Sequence, residues 1–209
     1  MAGGCNAGNG GTPLAIPTGA MTVVGGRERQ RGALAGRTPN YGAVGATCPA
    51  DELWTSRPPG YRSYEQTVRI GHGPADWSSA AAAVLEWGVK TRSGFTVRPA
   101  AGEGPRVKTG ADYWLVAALG PFSVREPVRV VAVVDEPARS GFSYGTLDGH
   151  PVSGEEAFVV HRSPDGAVWL TLRSLTQASP GGWRVAFPAL LIAQRWYRFR
   201  YLRALRTGG

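Results

Sequence analysis

The sequence predicts an α+β domain in which one curved antiparallel sheet wraps around a long C-terminal helix. Three observations predict it. Six short β-rich runs separated by turn residues fill the stretch from Gly94 to Leu175. A single alanine-rich helical segment precedes them, and an amphipathic helical segment closes the chain. Thirty glycines and sixteen prolines in 209 residues suit such a loop-rich sheet and disfavour a helical bundle.

Residues 1–36 hold ten of the glycines and no apolar periodicity, so they read as a flexible lead that adds nothing to a core. Residues 37–209 read as one domain, its folded body starting near Tyr41. Residues 61–70 alternate imperfectly and give the first strand. Asp76 is placed as the N-cap of a helix over Trp77 to Lys90, which Ser93-Gly94 stops. The runs FTVRP, YWLVAAL, VRVVAVV, GFSYGTL, EAFVVHR and AVWLTLRSL then give six strands. Ser163-Pro164-Asp165-Gly166 is a hairpin turn between the last two. Their short spacing favours antiparallel pairing over βαβ units. The final helix is predicted over Ala186 to Arg206. At 100° per residue, Leu190, Ala193, Tyr197, Tyr201, Ala204 and Leu205 share one arc that can dock on the sheet. Arg198 and Arg203 are placed on the solvent side, with Trp196 and Phe199 between the arginines. This order of elements is that of the START-like helix-grip fold, in which an apolar cavity lies between sheet and helix.

The net charge of +8 sits at the two ends. Residues 183–209 carry six arginines and no acid, while residues 51–182 are nearly neutral. No basic patch is therefore built into the body, which disfavours a nucleic-acid-binding fold, although the basic ends can still touch phosphate or lipid. The longest apolar run, Val128 to Val134, falls far short of the ~20 residues of a membrane-spanning helix. Two cysteines, Cys5 and Cys48, make neither a disulfide framework nor a zinc site. The expectation is a cytoplasmic chain with both thiols free, no cofactor and no metal. The oligomeric state is left open.

The densest local signal runs from Arg139 to Phe158 and contains Tyr144-Gly145-Thr146, Gly149-His150-Pro151 and Gly154-Glu155-Glu156. With Tyr41, Gly45, Thr47, Gly60-Tyr61, Gly71-His72-Gly73 and Trp87, it resembles the DUF1990 family of uncharacterised proteins over roughly residues 38–206. The resemblance implies no catalytic residues.

Read as a hairpin, residues 141–147 and 155–161 are paired strands. Phe142, Tyr144 and Thr146 share a face, and Glu155 and Glu156 point to opposite faces. One of the two carboxylates can therefore enter the interior beside Tyr144 or His150, where burial would raise its pKa and suit it to acid/base work. The structural alternative has one of them accepting backbone N–H groups or pairing Arg139. Glu156 is slightly favoured as the inward one because it shares a face with Phe158. Candidate catalytic residues are Glu155, Glu156, His150 and Tyr144. Candidate ligand-binding residues are Tyr144, Thr146, Glu156, Phe158, Trp114, Tyr197 and Tyr201. The preferred function is binding of an apolar small molecule or lipid between sheet and C-terminal helix. The alternatives are a small-molecule enzyme, cyclase-like or of other acid/base chemistry, using Glu155 or Glu156 in the same cavity, and peripheral binding to an anionic surface, lipid or nucleic acid, through the basic C-terminal helix.

Overall fold

A computed structural model describes residues 34–100, 102–119, 122–179 and 183–206. Seven strands form one antiparallel sheet: β1 (Arg62–His72), β2 (Phe95–Pro99), β3 (Asp112–Leu119), β4 (Phe122–Glu136), β5 (Arg139–Thr146), β6 (Val152–Arg162) and β7 (Ala167–Ala178). Their spatial order is β1-β7-β6-β5-β4-β3-β2, so every neighbour except β1·β7 is a sequence neighbour. All six predicted runs and the predicted first strand are strands. The Ser163–Gly166 turn closes by a hydrogen bond from Gly166 N–H to the Ser163 carbonyl at 2.9 Å. Register shifts in β1 between Arg69 and Gly71, and in β4 between Val130 and Ala132, bend the sheet.

Strict alternation sorts the side chains into two faces. Pairing of Val130 with Tyr144, Tyr144 with Glu156, and Glu156 with Ser174 carries one face across four strands. This concave face also holds Tyr113, Leu115, Val128, Phe142, Phe158 and Leu172, all buried. Helices α1 (Gly73–Leu85) and α2 (Gly88–Thr91) cover one part of it, and α3 (Trp183–Tyr201) lies over another. The result is the helix-grip arrangement of sheet and terminal helix.

Both predicted helices differ in their bounds from the sequence reading. The first helix does not run on to Lys90. It stops at Leu85, and Trp87 takes a left-handed backbone with φ +61°. Gly88 permits the reversal, since a Cβ there would stand 2.5 Å from the Ala83 carbonyl oxygen. Nor does Asp76 cap the helix from outside. It lies in the first turn and accepts the His72 N–H at 2.8 Å, because Gly73-Pro74 already starts the helix. The last helix runs from Trp183 to Tyr201, starting three residues and ending five residues earlier than predicted, and contains Pro188.

The convex face is partly covered by the chain that precedes β1. Tyr41, Cys48 and Trp54 are buried there. Cys48 is disulfide-bonded, which corrects the expectation of a free thiol at that position. Cys5 and most of the predicted lead, residues 1–33, lie outside the described residues. Leu34, at the end of that lead, is buried. No helix among the described residues is long and apolar enough to cross a membrane.

Candidate functional site

A cavity of about 130 Å³ lies between the concave face and α3. Its apolar wall comes from Phe95, Ala117, Val124, Leu190, Ala193 and Tyr197. Its other wall is charged. The Trp87 reversal turns Lys90 of α2 inward, where its ammonium is 2.8 Å from a Glu156 carboxylate oxygen and donates to the Tyr201 hydroxyl at 2.6 Å. The same oxygen of Glu156 accepts a hydrogen bond from the Tyr144 hydroxyl. The rings of Phe95, Tyr144, Phe158 and Tyr201 stand 4.4–5.6 Å from the ammonium, so the cation is caged by aromatic faces. Burial and the Glu156 charge push the Tyr144 and Tyr201 hydroxyls well above the usual phenol range, so both remain protonated donors. Lys90 occupies the Tyr201 oxygen, which leaves that hydroxyl's proton free to turn elsewhere.

A second pair lies on the same cavity wall. His150, from the β5–β6 connection, is buried, and its Nδ1 accepts the Val152 N–H at 3.0 Å. A neutral ring therefore carries its proton on Nε2, which is 3.8 Å from a Glu126 carboxylate oxygen. Burial first, and the Lys90 charge second, lower the His150 pKa to about 3, so the ring is neutral at physiological pH. Glu126 of β4 is pushed up to about 7. Burial is the largest cause, the Glu156 charge adds to it, and Lys90 opposes it. No hydrogen bond among the described residues relieves that carboxyl.

The other predicted residues divide. Glu155 and Glu156 do face opposite ways, and Glu155 is the outward one. Its carboxylate accepts Tyr41 O–H at 2.9 Å, Gly45 N–H at 2.7 Å, Thr47 N–H at 3.1 Å and the Thr47 hydroxyl. Glu155 thus takes the structural alternative of the sequence reading, accepting backbone N–H groups on the face that the parity of β6 sets. Tyr41 closes on Gly145, where a Cβ would meet its hydroxyl oxygen at 2.0 Å. Residues that carry the family resemblance (Tyr41, Gly45, Thr47, Gly145 and Glu155) thus meet in one knot on the convex face. Arg139 does not pair with either glutamate; it donates to the carbonyls of Pro49 and Asp51. Trp114 is corrected as well. Tyr113 takes the inward position of β3, so Trp114 faces out, 5.2 Å beneath the Arg37 guanidinium. Tyr144, Thr146, Tyr197 and Tyr201 line the cavity. The Thr146 hydroxyl is already engaged by Gly154 N–H at 2.8 Å and by Asn40. Phe158 shares the concave face but packs below the cavity, 5.3 Å from the Tyr201 ring. Arg198 does not face solvent: it lies 3.9 Å over the Tyr64 ring and donates to Ser174 Oγ at 2.8 Å.

Lys90 and Glu126 escape sequence reasoning. Sequence periodicity puts Lys90 at the tail of a helix that in fact breaks before it. Glu126 lies ahead of the predicted run VRVVAVV, in a stretch that β4 includes, and its two-residue spacing from Val128 sets its face.

Several known proteins are similar to this chain. A UPF0548 protein of Deinococcus radiodurans is 39% identical over 154 residues, covering 69% of this chain and 76% of that one. The hypothetical protein jhp0584 from Helicobacter pylori superposes with a TM-score of 0.50 at 10% identity, covering 69% of this chain and 84% of that one. Ara h 8.0201 gives a TM-score of 0.43 at 13% identity, over 68% and 96%. The family model of the domain of unknown function DUF1990 matches residues 40–204, and the chain belongs to that family.

Proposed function

We propose that the domain binds a small molecule in the cavity between the concave sheet face and α3. The apolar body of the ligand lies along Phe95, Val124, Leu190 and Tyr197, and its polar end meets Glu126, His150 and the Tyr201 hydroxyl. The observation that carries this reading is the Glu126 carboxyl, which lines the cavity and accepts no hydrogen bond from the described residues. The side chain is 21% exposed, so a ligand donor would take the place of solvent at that carboxyl. The volume sets the size. An apolar cavity of about 150 Å³ holds benzene, so about 130 Å³ suits a single ring or a short branched chain. A long acyl chain would have to extend past α3. The test is a methyl-observed NMR screen of single-ring compounds bearing an O–H or N–H group. Shifts gathered on Ala117, Val124, Leu190 and Ala193 are expected; shifts scattered over the convex face, or none, would overturn the reading.

A second reading makes the same cavity an acid/base site, and Glu126 favours it, being a desolvated carboxyl that titrates near neutrality. Glu126 would accept the proton, with His150 Nε2–H and the Tyr201 hydroxyl stabilising the charge that develops on the substrate. Ring opening of 5-nitrobenzisoxazole probes it. The base removes the carbon-bound proton as the N–O bond breaks, and the electron pair leaves on the phenolate oxygen. The rate should rise with pH to a plateau above about 7 and be lost in Glu126→Gln. An equal rate in that variant would remove Glu126 as the base.

A further inference from the structure

Helix α3 has a second apolar face, turned away from the cavity. Ile192, Trp196 and Phe199 are 74%, 53% and 55% exposed. At 100° per residue they fall within an arc of about 60°, one turn apart along the helix. Only two other large hydrophobic side chains among the described residues, Val44 and Leu53, are comparably exposed. Arginines border the row. Arg195 is exposed beside Ile192. The guanidinium of Arg200 lies 4.8 Å from the Trp196 ring, and that of Arg203 lies 3.9 Å from the Phe199 ring. A groove of about 950 Å³ runs along the same side of α3, with Arg62, Arg195 and Arg198 in its lining and no carboxylate.

We propose that this face of α3 docks on an anionic lipid bilayer. An apolar row flanked by arginines is the pattern of a helix lying in the membrane interface: the rings and Ile192 enter the acyl boundary, and the guanidinium groups stay at phosphate level. The charges point to this occupant over others. A second copy of the chain would bring the same arginines against each other, with no acid on α3 to offset them. A nucleic acid would satisfy the arginines but leave Ile192, the most exposed of the three, without an apolar partner. The groove between α3 and β1 sets Arg62 and Arg195 beside that row, where a phosphate head group can meet them.

The experiment is flotation of the full chain with phosphatidylcholine vesicles, with and without phosphatidylglycerol, at low and high salt. Binding should require the anionic lipid and weaken with salt. Ile192→Ser/Trp196→Ser/Phe199→Ser should abolish it, and Ile192→Ser alone should weaken it where the triple variant does not fold. Arg195→Gln/Arg200→Gln/Arg203→Gln should reduce partitioning on the order of a hundredfold, from ~1 kcal/mol for each arginine near the surface. The proposal is overturned if the wild type ignores anionic vesicles or if the serine variants bind as it does. Two further results overturn it. One is a single-stranded RNA bound in place of vesicles through the same arginines. The other is a dimer that the serine variants dissociate without any vesicle binding.

Discussion

Lys90 and Glu156 form a buried ion pair, 2.8 Å apart, between a four-residue helix and the centre of the sheet. Tyr201 accepts from the same ammonium, so the pair also ties in the end of α3. Three elements distant in sequence thus share one charged contact, and it forms a wall of the cavity.

Removing one partner leaves a buried charge, whereas removing both leaves none. Lys90→Met should therefore cost about 3–5 kcal/mol in urea denaturation, and Lys90→Met/Glu156→Met should recover most of that loss. A double variant no more stable than Lys90→Met would show that the two side chains do not act as a pair.

Glu126 and His150 give opposite pH dependences. The Glu126 pKa is raised in the fold from 4.5 to about 7, so between those values the native state holds more protons and stability falls as pH rises. The His150 pKa is lowered from 6.5 to about 3, so between those values the unfolded state holds more protons and stability falls as pH drops. From pH 4.5 to 6.5 the two slopes offset each other. Glu126→Gln should uncover the rise with pH, worth on the order of 2–3 kcal/mol across the window, and His150→Asn should uncover the fall. Denaturation midpoints at several pH values check both signs.

Glu155 should behave unlike its neighbour. Glu155→Ala removes the acceptor for the N–H groups of Gly45 and Thr47 and for two hydroxyls. Hydrogen exchange at residues 41–48 should accelerate, with a stability loss of about 2–4 kcal/mol. Ligand binding should persist in the fraction that remains folded. Unchanged exchange would contradict the anchoring role.

The faces of the sheet were legible where period-2 parity meets a distinctive residue. Glu155 and Glu156 could be assigned to opposite sides because the strand around them is regular. Trp114 could not, since Tyr-Trp-Leu-Val is apolar on both parities and only pairing with β4 decides which ring goes inside. Tyr197 and Tyr201 followed from helical periodicity. Arg198 did not, because a long arginine can reach back over Tyr64 and into the interface. Lys90 was hidden by a local break at Trp87-Gly88, and its partner lies 66 positions further along. Pairs closed by tertiary packing carry no local spacing that a sequence can show.

Arg198 and Arg203, both placed on the solvent side by periodicity, should separate in mutagenesis. Arg198→Ala removes a packed guanidinium with a hydrogen bond to Ser174 and should cost about 1–2 kcal/mol. Arg203→Ala should stay within about 0.5 kcal/mol. Equal losses in thermal denaturation would contradict the interface position of Arg198.

The cavity is tested most directly by filling it. Ala193 lines its α3 side, whereas Trp114 lies on the opposite face of the sheet. The best single-ring compound from the NMR screen should be titrated calorimetrically into the wild type, Ala193→Trp and Trp114→Phe. The account predicts that Ala193→Trp folds with an unchanged or higher Tm and shows no measurable binding, while Trp114→Phe binds as the wild type does. Full affinity in Ala193→Trp, or its loss in Trp114→Phe, would contradict a ligand site between sheet and helix.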